Sequence, residues 1–327
     1  MNKLFNVENL SKAEAYKLFT EFALYAPEKQ SAILAFLRCK TESIDEIQGA
    51  LQHFQKYSSH IVHDHEVVDI CGTGGDGAST FNISTAASIL MASCGALVTK
   101  HGGKGVTSLS GSQDVIQALG IQTPHTSKES LQILQKTNHV FLWAPMFNSE
   151  LKKYAALRQK IGFPSIFNVI APLLNPMQPK RCLIGVYRQD LLLKVAEILA
   201  ARKVNHALVV HSDDGLDELS ISSDTHVIEV QGSSLKEYTI SPENFGFSCA
   251  QLSDIKGGSS AENANLICDI LAGRMDGPKL DIVLLNSGAG LYVAGISSSI
   301  AEGISLAKVA IKQGKAMELL NKLRGLE

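Results

Sequence analysis

The 327-residue chain lacks any apolar run long enough to cross a bilayer. Its longest, near Ala86–Met91 and Asp281–Leu285, fall far short of the ~18–20 residues a spanning helix needs. Met1 to Leu10 carry Lys3 and Glu8 and no stretch of signal-peptide length. Cysteine is sparse: six residues, at 39, 71, 94, 182, 249 and 268, none in a CxxC pair. That spacing offers neither a zinc site nor a disulfide framework, so buried or idle thiols in a reducing cytoplasm are expected. An excess of one charge is missing too. Lys and Arg number 30 against 32 Asp and Glu, a net of −2. Such a balance argues against a partner held by bulk charge, whether nucleic acid or an anionic membrane. Charged residues are only 19% and hydrophobic ones 45%, which disfavours disorder and supplies a core without metal or disulfide staples.

What is present changes in texture at Glu66. Ser11 and Glu14 stand at capping-box spacing, followed by a helical stripe of Ala15, Leu18, Phe19 and Phe22. Ser43 and Glu46 repeat the device before Ile47, Leu51 and Phe54, and Ser31–Leu37 fits a helix between them. From Glu66 onward strand and helix patterns alternate. Strand candidates are Val67–Cys71, Ala96–Thr99, Val140–Trp143, Cys182–Tyr187, Ala207–His211, Val227–Val230 and Ile282–Asn286. Helix candidates include Thr85–Cys94, Val115–Leu119 and Leu191–Arg202, while Gly232–Ser234 and Gly257–Ser260 read as loops. The expectation is an α/β fold: a small all-helical N-terminal domain over residues 1–65 and a larger α/β domain over 66–327 with a mostly parallel sheet.

Chemistry gathers in three loops. Gly72-Thr73-Gly74-Gly75-Asp76-Gly77 follows a strand and leads through Ser79, Thr80 and Asn82 to a helix opening with Ser84 and Thr85. Glycines turn backbone N–H groups inward and the helix N-terminus favours an anion, above all phosphate. Gly72, Gly74 and Gly77 also satisfy the dinucleotide fingerprint, but that fold wants an acid after its second strand. This chain has Lys100-His101 there. The second loop, Lys100 to Ser112, holds two lysines, a histidine, glycines and hydroxyls, a further anion cradle. Together the two suggest a ligand with separated phosphates. The third, Asp213-Asp214-Gly215-Leu216-Asp217-Glu218, offers oxygen donors suited to Mg²⁺ beside phosphate.

These residues, with Ser110-Gly111-Ser112, Asn168 to Asn175-Pro176, Gly185-Val186-Tyr187, Leu285 to Gly288 and Leu37-Arg38-Cys39-Lys40, resemble the anthranilate phosphoribosyltransferase family along the whole chain. The resemblance implies a helical domain with a return segment near residues 150–180, an active site in the cleft below it, and a homodimer formed through the helical domain. It implies transfer of 5-phosphoribose from phosphoribosyl pyrophosphate (PRPP) to the amine of anthranilate, with Mg²⁺ on the pyrophosphate. By position, Gly72, Gly75, Asp76, Thr80, Asn82, Ser84, Thr85, Lys100, Ser108 and Ser112 would contact the donor. Ser84, Asp217 and Glu218 would hold Mg²⁺, and Gly72, Gly103 and Arg158 would meet the acceptor. Lys100, His101 and Arg158 are the candidate catalytic residues, with His101 a later proton acceptor.

Three departures cluster at the acceptor side. Gly103 stands where the family has asparagine, Asn148 where it has histidine, and Ala171 where it has glycine. They leave a different aromatic acceptor open beside anthranilate. A pyrimidine nucleoside phosphorylase of the same wider fold is a rival, against which the Asp217-Glu218 pair argues. A non-catalytic nucleic-acid-binding relative is another, against which the intact donor motifs and the charge balance argue.

Overall fold

A computed structural model describes residues 2–105 and 110–326. One sheet runs through the chain, built from β1 (Val68–Gly72), β2 (Val98–Gly102), β3 (His139–Trp143), β4 (Arg181–Gly185), β5 (His206–Ser212), β6 (Thr225–Gln231) and β7 (Ser234–Ile240). Their order is β3-β2-β1-β4-β5-β6-β7. Neighbours from β3 across to β5 are parallel, and β6 and β7 add an antiparallel edge. The expected α/β fold with a mostly parallel sheet is thus borne out.

Successive strand side chains point to opposite faces, and the two faces feed two cores. Ile70, Leu183, Leu208 and Val210 pack with the helices Ile83–Ser93 and Pro278–Ala294. Cys71, Cys182, Ile184, Ala207 and Val209 face the other way, into a core shared with Phe19, Leu34 and Phe54 of the N-terminal helices. Those helices start where the sequence places their caps. Ser11 N–H donates to Glu14 at 2.9 Å, and Ser43 N–H donates to Glu46 at 2.8 Å. An aromatic cluster seals this layer: Phe54 lies 5.9 Å from Phe19 and 5.6 Å from Phe167, and Phe22 lies 5.3 Å from Tyr154. Tyr154 and Phe167 come from the chain's return between β3 and β4, so the helical layer and the sheet share one packed boundary.

Three expectations fail, the slightest at Ser260, expected in a loop, which instead begins the helix Ser260–Leu271 behind its Ser259 cap. Ile282–Asn286 is not a strand but the centre of the helix Pro278–Ala294. A short apolar run has no period that separates a buried strand from a helix buried all round. The decisive signals lie at the ends, Pro278 at the first turn and Gly295 in the left-handed cap. Ser234, expected in a loop, instead begins β7, because Gly232 and Ser233 form a two-residue hairpin turn with Gln231 paired to Ser234. β7 is largely solvent-exposed and so carries little of the apolar alternation that marks a strand.

Candidate active site

The carboxyl ends of β1 and β4 finish on glycines that are register partners, Gly72 and Gly185. Both are required by what lies above them. A Cβ on Gly72 would stand 2.2 Å from Asp217 Oδ2, and one on Gly185 would stand 1.7 Å from the Asp217 carbonyl. The acidic turn therefore rests directly on the strand ends. Asn286, from the helix mistaken for a strand, fixes it there: its Oδ1 accepts from Leu219 N–H at 3.0 Å, and its Nδ2 donates to Leu219 O at 2.8 Å. Asp217 and Glu218 are buried. Asp213 and Asp214 are used otherwise, Asp213 pairing with His226 at 2.8 Å and Asp214 accepting from Ser220 Oγ at 2.6 Å.

The first glycine loop is tied to this turn and to the return segment. Gly74 N–H donates to Asp217 Oδ2 at 2.5 Å. Asn168 Nδ2 donates to Thr73 O at 3.0 Å, and Tyr187 N–H donates to Thr73 Oγ1 at 3.1 Å. Gly74, Gly75 and Gly77 take positive φ, which glycine adopts without a Cβ clash. Further on, Thr80 bridges to Lys256. Asn82 then links three segments, donating to Ser110 O at 3.2 Å and accepting from Asn263 Nδ2 at 3.0 Å. Asp114 closes the second loop by accepting from Gly111 N–H at 3.0 Å and Gly105 N–H at 3.3 Å. Ser108 lies outside the described residues.

Lys100 and Ser84 join the three loops. The buried Lys100 Nζ donates to Ile70 O at 2.8 Å and to Ser84 Oγ at 3.0 Å, while Ser84 N–H donates to Glu218 Oε1 at 3.2 Å. Carboxylates outnumber this one ammonium. Burial pushes Glu218 up to about 7, with Lys100 pulling it back and Asp76 adding to the rise. Asp217 is driven well above the usual carboxylate range by burial, then by Asp76 and Glu218. Burial also raises Asp76, and lifts Asp69 to about 6 against the amide of Asn175 and the charge of Lys100. A buried oxygen-donor set short of positive charge fits Mg²⁺, which takes one or two carboxylates and leaves its other positions to water and phosphate. Asp217, Glu218 and the Ser84 hydroxyl are the donors that fit.

The other candidates lie around this centre. His101 is buried, its backbone N–H donates to Asp69 Oδ1 at 3.2 Å, and its Nε2 has no hydrogen-bond partner among the described residues. Burial holds its imidazole down near 4, so it is neutral at physiological pH. Arg158 sits on the short helix Ala155–Ile161, 5.8 Å above the Phe167 ring, with a buried Nε that has no partner among the described residues. Burial lowers its guanidinium to about 10. Among the described residues, the fully buried Thr85 finds no partner for its Oγ1, and nothing lies within 4 Å of a Cβ position at Gly103. Lys104, expected to share the cradle, is exposed. Asn148, expected beside the acceptor, is spent on structure: it donates to Phe54 O at 3.0 Å and Ser58 Oγ at 2.7 Å, and accepts from Leu151 N–H at 2.9 Å.

Sequence reasoning passed over Asp69, Asn263 and Pro164. Asp69 left one signal, an acid inside the apolar strand Val68–Gly72. Asn263 and Pro164 left none, because their partners are distant in the chain.

The chain is similar to known proteins along nearly its whole length. The glycosyl transferase family a/b domain matches residues 64–317. An anthranilate phosphoribosyltransferase of Bacillus pumilus is 41% identical over 99% of this chain and 96% of its own. The anthranilate phosphoribosyltransferase of Thermus thermophilus superposes with a TM-score of 0.88 at 32% identity, covering 99% of this chain and 97% of its own. That of Saccharomyces cerevisiae, in complex with PRPP and Mg, also reaches 0.88, at 27% identity over 98% and 95%.

Proposed function

We infer that this chain, which belongs to the anthranilate phosphoribosyltransferase family, moves 5-phosphoribose from PRPP to the amine of anthranilate and releases pyrophosphate. The observation that carries this reading is the junction at Ser84. Its hydroxyl meets the ammonium of Lys100 at 3.0 Å and its N–H meets Glu218 at 3.2 Å. A phosphate-seeking cation and a cation-seeking carboxylate thus share one residue at the start of a helix.

Breaking the bond from the anomeric carbon to pyrophosphate leaves positive charge on the ribose and negative charge on the leaving group. Preorganised N–H groups of the glycine loops and the Lys100 ammonium stabilise the negative side. Ser84, Asp217 and Glu218 would hold Mg²⁺, which would supply further neutralisation of the pyrophosphate. The unpartnered Nε of Arg158 supports its role as receiver of the anthranilate carboxylate, a task suited to a fork of donors. An arylamine attacks uncharged and needs no strong base beforehand. A neutral His101 with a free Nε2 is able to take the proton afterwards. Gly103, where no described atom lies within 4 Å of a Cβ position, leaves room for the acceptor, while the space at Gly72 is taken by Asp217.

Residues 1–65, with the return near 150–180, form the helical domain in this reading, and residues 66–327 the donor domain. Pairing of two copies through the helical domain follows from the family resemblance, and sedimentation would test it. The activity itself is tested by pyrophosphate release from PRPP and Mg²⁺, with anthranilate set against other aromatic amines and bases. Anthranilate is expected to give the highest kcat/KM. No release with any acceptor overturns the reading, and a stronger response to another amine moves the acceptor assignment.

A further inference from the structure

We propose that Arg38 is a positioning residue that sets the first glycine loop from the helical layer, acting through Pro164 and Tyr187. The proposal rests on the donor-binding reading of that loop and adds a device that shapes it.

Arg38 lies in the last turn of the helix Pro27–Cys39, far in sequence from either phosphate loop. Its Nη1 donates to Pro164 O at 2.8 Å and to Tyr187 Oη at 3.0 Å. The guanidinium also lies over the Tyr187 ring, 5.4 Å from its centroid, while Arg188 flanks the same ring at 5.5 Å. Each of the two bonded partners touches a different residue of the glycine loop. A Cβ on Gly75 would stand 2.3 Å from Pro164 Cγ, so the Gly75 backbone is seated directly on the proline ring. Tyr187 N–H donates to Thr73 Oγ1 at 3.1 Å. One guanidinium therefore closes a circuit from the helical layer through Pro164 to Gly75, back along the loop to Thr73, and through Tyr187.

Pro164 depends on this contact. It lies between Gly162, in the left-handed region, and Ser165, which leads into the helix Ile166–Ile170. From that helix Asn168 ties the same stretch to the loop by donating to Thr73 O at 3.0 Å. Without Arg38 the Pro164 carbonyl and the Tyr187 hydroxyl lose their shared donor, and Pro164 is free to lift away from Gly75. A loop that binds phosphate through aligned N–H groups loses affinity when its backbone relaxes. The effect is expected on the donor, whose cradle moves, more than on the acceptor.

The test is R38M, which keeps much of the apolar stem and removes the fork. Calorimetric Kd for PRPP with Mg²⁺, and KM for PRPP, are expected to rise about tenfold, the scale of one lost charge-assisted hydrogen bond. KM for anthranilate should stay near the parent value. R38K restores charge without the planar fork and should rescue only part of the loss. Y187F should raise the PRPP Kd by less, and should add little on top of R38M, because both remove the same bond. Parent-like PRPP affinity in R38M overturns the proposal. So does an equal loss for both substrates accompanied by a fall in Tm, which marks a merely structural role. If R38M does not fold, Y187F decides, and an unchanged PRPP Kd there overturns it. A parent enzyme that fails to release pyrophosphate from PRPP defeats the family reading instead.

Discussion

Glu218 and Glu229 are both buried carboxylates beside the same sheet, yet their acidities move in opposite directions. Burial alone would raise each. At Glu229, on the antiparallel side, that rise is more than offset by Tyr292 and His206, with Tyr238 adding to them, and the carboxyl sits below its ordinary range. The Tyr292 hydroxyl and the His206 ring both meet it at 2.8 Å. At the parallel end, Glu218 faces Lys100 while Asp217 and Asp76 crowd beside it, and all three carboxyls are raised. The same residue type is thus satisfied within the protein at one end and left short of positive charge at the other. A network whose members complete one another stabilises the fold. One that is left incomplete is the kind a substrate and a cation complete.

The comparison breaks most visibly if Lys100 is removed. K100A should lower kcat/KM by about a thousandfold or more, because it deletes a preorganised charge facing the leaving group. Circular dichroism should show the fold retained. D217A combined with E218A should fall comparably. Near-parent turnover in either would mean that the parallel end is only another structural cluster. The converse experiment is E229L. It strands the His206 ring and the Tyr292 hydroxyl in a buried site and should cost about 3 kcal/mol of stability in urea unfolding, with kcat at 25 °C little changed. A loss of activity without a loss of stability would place Glu229 in the wrong class.

Much of this contrast could be read locally. The strand, glycine turn and polar helix start at residues 68–85 announce a phosphate loop within one short stretch, and Asp217-Glu218 follows a recognisable strand. What could not be read depends on contacts across the chain. Asn286 pins the acidic turn from a helix that is buried all round and so carries no amphipathic stripe to reveal its period. The bonds of Asn148 to Phe54 and Ser58 reach about ninety residues back along the chain, beyond any local pattern. Pro164 matters only because Gly75 has no side chain. β7 escaped because an exposed edge strand has little apolar alternation to show.

Histidines sharpen the comparison at the next level of effect. His206 faces a carboxylate, whereas His139 is fully buried, close enough to Lys100 to feel its charge, and bonded to Ser88 at 3.1 Å. Burial, and then Lys100, depress the His139 imidazole to about 3. An unfolded histidine titrates near 6.5, so below that pH the unfolded chain takes up the proton first. The stability associated with a neutral His139 is full above about 6.5 and is lost as pH falls toward 3. Between pH 8 and pH 5 the parent should lose roughly 2 kcal/mol through this group, and H139N should lose that much less over the same interval. Parallel pH slopes for the two proteins would contradict the assignment.

The smallest expected effect tests whether the Glu229 cluster is as complete as its geometry indicates. Y292F removes one hydroxyl donor, while His206 at 2.8 Å and Gln231 at 3.2 Å continue to bond the carboxylate. Losing one bond of several should cost about 1 kcal/mol, well under the cost of E229L, because no buried charge is left without a donor. In the Y292F background the Glu229 carboxyl should titrate higher than in the parent, since its strongest offset to burial has gone. The stability that Glu229 loses on acidification would then be smaller and would be fully lost at a higher pH. A cost as large as that of E229L would show that the tyrosine alone holds this end together, and that the two ends differ by one bond rather than by design.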